Sequence, residues 1–287
     1  MSITTHLGMK VHWSDANHVV ELEPSCYEIH LSEKDLEKHY SKMVDIFSSE
    51  PFSKKVLLVH APLTFSENDI KLVVDISSNN LNIRRKSIQI IRNTLSFVSD
   101  ISAKYLVVHP GGISSTALEK VKLSANLISS LKELRSKRIL LENMPWFYWF
   151  GKKRERSNIL IFSEEFEDIL PFCGGICLDF CHAYLSQPRG SLDTIIKFFN
   201  IYPEEIKHLH ISDAKSPDGE GLQIGEGEIN FISLFNAIYK IVKEETGGRS
   251  FTLIPEIKDG HLNKSEKTKV AYKKLKALLK EAKWNPH

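Results

Sequence analysis

Tyr105-Leu-Val-Val-His109 is a short apolar run that ends in a histidine and breaks at once into the turn Pro110-Gly111. Five further runs share this form, because each is a strand-like apolar stretch followed by a residue able to bind a metal ion. They are Val56-Leu-Leu-Val-His60, Ile139-Leu-Leu-Glu142, Gly175-Ile-Cys-Leu-Asp179, Ile206-Lys-His-Leu-His210 and Phe251-Thr-Leu-Ile-Pro-Glu256. Short apolar runs bounded by turns are typical of the buried strands of a parallel sheet.

Strand-like and helical segments alternate along the whole chain. Residues 5–11 and 26–31 precede the six runs, which gives eight strands, and stretches with apolar residues at helical spacing separate them. These stretches are residues 33–48, 81–102, 116–135, 163–170, 192–199, 231–244 and 264–282. The alternation predicts an α/β protein with a (β/α)8 TIM barrel. A doubly wound open sheet is the alternative, but no Gly-x-Gly-x-x-Gly follows the first strand.

The composition is that of an ordinary globular protein. The 287 residues are 42% apolar and 26% charged, with a net charge of +2, and they predict a single domain over residues 1–287. This charge balance does not indicate a protein coated for non-specific binding of nucleic acid. The first residues have no secretory pattern and no apolar run is long enough to span a membrane, so we expect a cytoplasmic protein.

The residues that end the six runs are all common metal ligands. They are His60, His109, Glu142, Asp179, His210 and Glu256. Because the carboxyl ends of barrel strands open onto one face, we expect these side chains to converge there. Carboxylates and imidazoles together bind divalent cations, so the sequence predicts a site for Zn, Mn, Co or Mg.

Two loops on the same face are unusual. Residues 143–156 contain five consecutive aromatic residues followed by a basic cluster, and residues 213–227 are rich in glycine and acids. Aromatic rings stack on sugars or bases, so Trp146 is expected to contact the substrate, as are Asp213 and Lys215 of the second loop. The second loop is a candidate lid, and the aromatics at 146–150 would also suit a homodimer contact.

The four cysteines do not have the spacing of a zinc motif. They are Cys26, Cys173, Cys177 and Cys181. Buried free thiols are the expectation that follows. Cys181 precedes His182 near the predicted site, which leaves a role as a soft metal ligand open.

From about the third strand to the eighth, the chain resembles the xylose isomerase-like superfamily of TIM barrels. This superfamily contains sugar isomerases and epimerases together with abasic-site nucleases of the endonuclease IV type, also called AP endonuclease family 2. The motifs that carry the resemblance lie in order at the strand ends. They are His60-Ala-Pro, His109-Pro-Gly, Leu141-Glu142-Asn143, Leu178-Asp179-Phe-Cys-His182, His210-Ile-Ser-Asp213, Ile224-Gly-Glu-Gly227 and Pro255-Glu256.

The resemblance implies roles for these residues. Four of them match the ligands that hold one divalent ion in the sugar epimerases, namely Glu142, Asp179, His210 and Glu256. His182 matches a histidine that contacts the sugar, and His60 and His109 match ligands of a second metal in the nucleases. The nucleases hold a third metal partly through an Asp-x-His pair, where this chain has Gly219-Glu220-Gly221. Asp218 or Glu220 would have to substitute for that pair.

The sequence therefore favours a divalent-metal-dependent isomerase or epimerase that acts on a sugar or sugar phosphate. In this reaction Glu142 and Glu256 move a proton on the carbon beside a carbonyl, through an enediolate. The alternative is a zinc-dependent nuclease of the endonuclease IV type, whose partner would be DNA with an abasic site. A third possibility is a metal-stabilised barrel that binds a partner without catalysis.

Overall fold

The computed structural model describes residues 3–150, 152–246, 249–260 and 262–286. A closed barrel of parallel strands forms its centre. The strands are β1 (Thr4–Val11), β2 (Cys26–His30), β3 (Val56–His60), β4 (Tyr105–Val108), β5 (Ile139–Glu142), β6 (Gly175–Asp179), β7 (Ile206–Ile211) and β8 (Ser250–Pro255). β1 pairs in parallel with β8, with Thr4 opposite Ser250 and Leu7 opposite Leu253. This closure confirms the predicted (β/α)8 barrel and rules out the open sheet.

The helices lie between the strands and pack on the outside of the barrel. They are α1 (Glu33–Lys38), α2 (Tyr40–Phe47), α3 (Leu81–Asp100), α4 (Lys120–Leu134), α5 (Phe180–Tyr184), α6 (Leu192–Ile201), α7 (Phe231–Thr246) and α8 (Leu262–Glu281). No helix among the described residues is long and apolar enough to cross a membrane.

Two helical predictions were wrong in detail. Residues 33–48 form two helices, α1 and α2, that meet at His39, where φ is −126°. Residues 163–170 form a short 3-10 turn at Ser163–Phe166 in place of an α-helix. A second short 3-10 helix, Leu170–Phe172, follows and contains Pro171, which has no backbone N–H to extend an α-helix.

The alternation of side chains along each strand positions the site. Two clusters of apolar side chains lie inside the barrel, one made by Cys26, Leu58 and Ile254 and the other by Val107, Leu140 and Cys177. Because side chains two residues apart on a strand share a face, the residue two positions after each of these also points inward. The next interior layer, at the carboxyl end of the barrel, therefore contains the predicted metal ligands.

Gly8 on β1 is required by the narrow interior of the barrel. A Cβ atom at this position would lie 2.3 Å from Cys26 Sγ and 2.8 Å from Ile254 Cδ1. Only glycine allows β1 to approach its neighbours this closely. Lys10 follows two residues later on the same strand and faces the mouth of the barrel.

Three hairpins surround the mouth. The first hairpin is Thr64–Glu67 with Ile70–Val73, the aromatic hairpin is Phe147–Phe150 with Lys153–Ser157, and the acidic hairpin is Asp213–Lys215 with Gly219–Leu222. The last two are joined at Asp218. Its carbonyl accepts a hydrogen bond from Trp149 Nε1 at 3.2 Å, and its carboxylate pairs with Arg154 Nε at 3.0 Å.

The outer core should depend on Phe235, which is fully buried on α7 and packs against Phe180, Phe231 and Trp284. We expect Phe235→Ala to lower the free energy of unfolding by about 3–5 kcal/mol, because it removes a large buried ring and leaves a cavity. Urea denaturation measures the change. Val121→Ala, at an exposed position, should change stability by about 0.5 kcal/mol or less. Equal effects of the two substitutions would contradict this account of the core.

Candidate metal centre

The six predicted ligands gather into two groups that share one carboxylate. The groups are His60, His109 and Glu142, and then Glu142, Asp179, His210 and Glu256, and the ligand atoms within each group lie within 4.8 Å of one another. Glu142 Oε2 lies 3.4 Å from His60 Nε2 and 3.1 Å from His109 Nε2. Its other oxygen, Oε1, lies 3.4 Å from His210 Nδ1. Glu142 thus presents one oxygen to each group.

The buried atoms of these groups have the pattern expected around a cation. Both oxygens of Glu142, His60 Nε2, His210 Nδ1 and Glu256 Oε2 are buried without a hydrogen bond among the described residues. They approach one another closely, and His210 Nδ1 lies 2.5 Å from Glu256 Oε2. Because unpaired buried polar atoms are costly, a divalent ion that binds them would offset a large penalty. The mixture of imidazole and carboxylate fits zinc or manganese.

Glu28 orients His210, one of the predicted metal ligands. Its Oε2 accepts hydrogen bonds from His210 Nε2 at 2.7 Å and from His208 Nε2 at 2.9 Å, and all three side chains are fully buried. The bond to Nε2 leaves His210 Nδ1 facing the ligand groups. Sequence reasoning missed Glu28, although a glutamate inside the apolar strand Cys26–His30 was a usable signal.

Lys10 is a second residue that the sequence analysis missed. Its ammonium group bonds to Glu256 Oε1 and lies 3.3 Å from Glu28 Oε1. Glu256 therefore uses one oxygen for Lys10 and keeps Oε2 for the ligand group. The signal was weak, because a lone lysine near the end of a strand is most often a solvated charge.

Asn143 fixes the position of Asp179. Its side chain accepts a hydrogen bond from the backbone nitrogen of Asp179 at 2.7 Å and donates one to the carbonyl of the same residue at 3.1 Å. The Asp179 carboxylate in turn accepts from the backbone nitrogen of His182 at 2.7 Å, which starts α5. The motif Leu141-Glu142-Asn143 thus provides both a ligand and the clamp for its neighbour.

The pKa values of the shared carboxylates reflect their imidazole neighbours. Burial alone would raise the pKa of Glu142, but His109 and His210 hold it well below its usual range. Burial likewise opposes ionisation of Glu256, whose pKa is lowered by His210 and Lys10. Both glutamates are therefore ionised and ready to bind a cation at neutral pH.

The pKa values of Asp179 and His182 are raised, in contrast to those of the two glutamates. Burial raises the pKa of Asp179 to about 6. Burial would lower the pKa of His182, but the charges of Asp179 and Glu142 raise it to about 10. A proton on this histidine thus compensates part of the local negative charge.

The structure brings only one of the four predicted substrate contacts to the ligands. His182 lies beside them, with Nδ1 3.3 Å from Glu142 Oε1. Asp213 instead uses its carboxylate to accept backbone N–H groups, including those of Gly225, Gly227 and Ile229, so it holds the loop in shape.

Trp146 and Lys215 lie away from the ligand groups. Trp146 packs against Phe162, with ring centroids 6.1 Å apart, and under the guanidinium of Arg156 at 5.1 Å. Lys215 is exposed at the end of a strand in the acidic hairpin. Neither lines the cavities at the mouth. The path of the backbone in the two loops sets the positions of Trp146 and Lys215, and that path could not be predicted from the sequence.

Two cavities open beside the ligands. The metal cavity, of about 470 Å³, is lined by Glu142, Asp179, His182, Glu220 and Glu256 among others. The side cavity, of about 320 Å³, lies toward β3 and the first hairpin. Tyr148 and Trp149 of the aromatic hairpin line both cavities. These two aromatics, rather than Trp146, reach the site.

The structure separates the two candidate substitutes for the missing Asp-x-His pair. Glu220 lines the metal cavity, and burial raises its pKa. The carboxylate of Asp218 is occupied by Arg154.

All four cysteines are buried free thiols, as expected. Cys181 accepts a hydrogen bond from Gly221 N at 3.4 Å and joins no ligand group in the described residues.

Fold and site together define a TIM-barrel protein with a cluster of metal-ligand side chains at the carboxyl ends of its strands. Residues 41–281 match the model of the xylose isomerase-like TIM barrel family, and the chain belongs to this family. The expected resemblance is thereby confirmed. Members of this family include epimerases and endonuclease IV.

Curated relatives include proteins named as nucleases. MJ1614 of Methanocaldococcus jannaschii, an uncharacterized protein, is 28% identical over 188 residues, which cover 64% of this chain and 66% of that protein. A protein named probable endonuclease 4 of Thermosipho africanus is 26% identical over 172 residues, covering 55% of this chain and 59% of the relative. The chain thus spans less than two thirds of the length of these relatives.

Solved structures with the same fold include both enzyme types. A D-tagatose 3-epimerase-like protein superposes with a TM-score of 0.67 and 23% identity over 98% of each chain. Endonuclease IV from Thermus thermophilus superposes with a TM-score of 0.62 and 17% identity, over 96% of this chain and 99% of that one. At these identities the superpositions establish the fold, and both reactions remain candidates.

Glu28 should set metal affinity without touching the metal. We expect Glu28→Gln to weaken binding of Zn²⁺ or Mn²⁺ about tenfold or more, because a partner that orients a ligating histidine also raises its basicity. Isothermal titration calorimetry measures the affinity. Glu266→Gln, on the exposed face of α8, is the matched control and should bind metal as the natural protein does. Unchanged affinity in Glu28→Gln would refute the orienting role.

Metal binding should weaken in mild acid. Since Asp179 has a pKa of about 6, it is mostly protonated at pH 5.5 and mostly ionised at pH 7.5, and only the ionised form binds a cation. This carboxyl alone should lower the apparent affinity about fourfold at pH 5.5. Burial lowers the pKa of His109, which favours the neutral imidazole that a cation binds. Titrations at the two pH values check the sign, and tighter binding at pH 5.5 would be inconsistent with it.

Proposed function

We propose that this protein is a divalent-metal-dependent isomerase or epimerase that acts on a sugar or sugar phosphate. The observation that carries the proposal is the enclosed position of the ligands. Glu142 and His210 are fully buried, and even Glu256, the most accessible ligand, has a side chain only 29% exposed. The aromatic and acidic hairpins, joined at Asp218, contribute Tyr148, Trp149 and Glu220 to the wall of the cavity beside the ligands. A cavity of about 470 Å³ is of the size that holds a small molecule.

The ligands of the second group suit proton transfer beside a carbonyl. When bound, a divalent cation would polarise the carbonyl and the neighbouring hydroxyl of the substrate. Glu142 and Glu256 would take the proton from the adjacent carbon and return it, with the enediolate between these two steps. They come from β5 and from the end of β8, so they approach a substrate from different parts of the ring. His182 is placed to bind a sugar hydroxyl.

Lys10 and the aromatic hairpin support this chemistry in different ways. Lys10 bonds to Glu256 Oε1 and so fixes the carboxylate while its other oxygen faces the ligands. Tyr148 lies edge-on to His109, with ring centroids 5.9 Å apart, and Trp149 lines the cavity beside it. Aromatic walls of this kind exclude water from a reactive intermediate and can stack on the apolar face of a sugar.

An abasic-site endonuclease is the second candidate, and a specific observation favours it. A one-metal epimerase does not need the group of His60, His109 and Glu142, whereas two cations that share Glu142 would suit hydrolysis of a phosphodiester. The relative named probable endonuclease 4 points the same way. Against it stand the burial of the ligands and Gly219-Glu220-Gly221 in place of an Asp-x-His pair.

Metal content and activity together test the proposal. We expect protein purified without added metal to contain one exchangeable Mn, Co or Mg per chain by elemental analysis, and to interconvert ketose epimers or aldose and ketose isomers. Glu142→Gln should lower this activity about a thousandfold or more, because it removes a ligand and a proton-transfer group together. Glu266→Gln should retain full activity.

Nicking of a duplex with one abasic site is the opposing assay. We expect little or no cleavage by the natural protein. Two or more tightly bound zinc ions per chain, together with nicking that Glu142→Gln abolishes, would replace the isomerase with the nuclease. Metal binding without either activity would favour a scaffold.

A further inference from the structure

The two cavities at the barrel mouth differ sharply in charge. Five carboxylates line the metal cavity, namely Glu142, Asp179, Glu220, Glu256 and Asp259, together with two lysines, Lys10 and Lys258. Among the described residues that line the side cavity there is no carboxylate, while two lysines, Lys10 and Lys71, lie in its wall. The cavities share Lys10 and His109 in their walls, so one ligand can extend from one cavity into the other.

Lys71 is the cation of the side cavity that has no other assigned task. It lies on the second strand of the first hairpin, its residue is exposed, and it forms no ion pair within the described ranges. Lys10, by contrast, is already bonded to Glu256 and Glu28. Thr64 adds a hydroxyl group to the same wall, whereas the hydroxyl of Ser32 already donates to the carboxylate of Asp35. A wall that presents the ammonium group of Lys71, a hydroxyl and no carboxylate favours an oxyanion.

We propose that the side cavity is an anion subsite that binds the phosphate of a phosphorylated sugar, with Lys71 as its main contact. The inference rests on the proposed function and narrows its substrate to a phosphomonoester. The polyol end lies in the metal cavity, where carboxylates and cations bind hydroxyl and carbonyl oxygens. The phosphate end lies in the side cavity, where the positive wall stabilises its charge.

The division of charge also gives specificity against other ligands. A phosphate placed in the metal cavity would face five carboxylates, and this repulsion orients the substrate in one direction. A neutral sugar would gain nothing from Lys71. The side cavity, at about 320 Å³, is large enough for a phosphate and its water but not for a stretch of duplex.

Ligand binding to the full-length, metal-containing protein tests the subsite. The probes are D-fructose 6-phosphate, inorganic phosphate and D-fructose, with affinities measured by isothermal titration calorimetry. Lys71→Met should weaken binding of both phosphate probes about tenfold, the loss expected for one charged hydrogen bond, and leave D-fructose unchanged. Lys71→Arg should retain most of the affinity. Added salt should weaken phosphate binding in the natural protein more than in Lys71→Met.

Lys122→Met, at an exposed position on α4, is the matched control and should bind all three probes normally. Equal phosphate affinities in Lys71→Met, Lys122→Met and the natural protein would overturn the subsite, since phosphate would then bind elsewhere. Failure of both phosphate probes to bind would overturn it as well.

The outcomes also separate the subsite from the proposed reaction. Lys71-dependent phosphate binding in a protein that nicks abasic DNA and converts no sugar would keep the anion subsite and reject the isomerase. Conversion of neutral sugars with no effect of phosphate or of Lys71→Met would keep the isomerase and reject the subsite.

Discussion

Everything at the mouth of the barrel depends on buried negative charge held close to imidazole. Glu28, Glu142 and Asp179 are almost completely buried, and the side chain of the neighbouring Glu256 is 29% exposed. Isolated carboxylates in such a place would be protonated or would destabilise the fold, because desolvation of a charge costs several kcal/mol. Histidines on neighbouring strands and Lys10 compensate this charge. The compensation is incomplete and leaves several of these buried atoms without hydrogen bonds among the described residues, which is the pattern expected around a divalent cation.

The same charges explain why the residues around the ligands matter as much as the ligands themselves. Glu28 fixes the ring of His210, Lys10 fixes one oxygen of Glu256, and Asn143 fixes the backbone of Asp179. Each of these contacts restricts the orientation of one predicted ligand, so a cation would meet side chains that are already arranged. Next to this layer the two joined hairpins line the cavity through Tyr148, Trp149 and Glu220. The candidate ligands and the cavity wall therefore come from different parts of the chain.

Much of this could be predicted from particular residues. The runs that end at His60, Glu142 and Asp179 predicted both the barrel and the ligand layer, because a parallel barrel turns every strand end toward one face. Glu28 and Lys10 could not be assigned in the same way, since they lie before the ends of their strands or on a strand without a motif. In place of the helix expected at residues 163–170 the chain forms two short 3-10 stretches, and Pro171 in the second has no N–H to continue an α-helix. The aromatic run contributed Tyr148 and Trp149 to the site instead of Trp146.

The linear order of apolar runs and polar ends by itself determined the barrel and the set of ligand-type side chains that gather at its mouth. This was possible because both follow from strand periodicity, a local property that every residue carries into the fold. Tertiary structure alone decided that Glu142 faces two ligand groups, that Lys10 bonds to Glu256, and that the cavities have opposite charge. These are relations between strands and loops far apart in the chain, and their distances are set by barrel closure and loop packing, which no local pattern records.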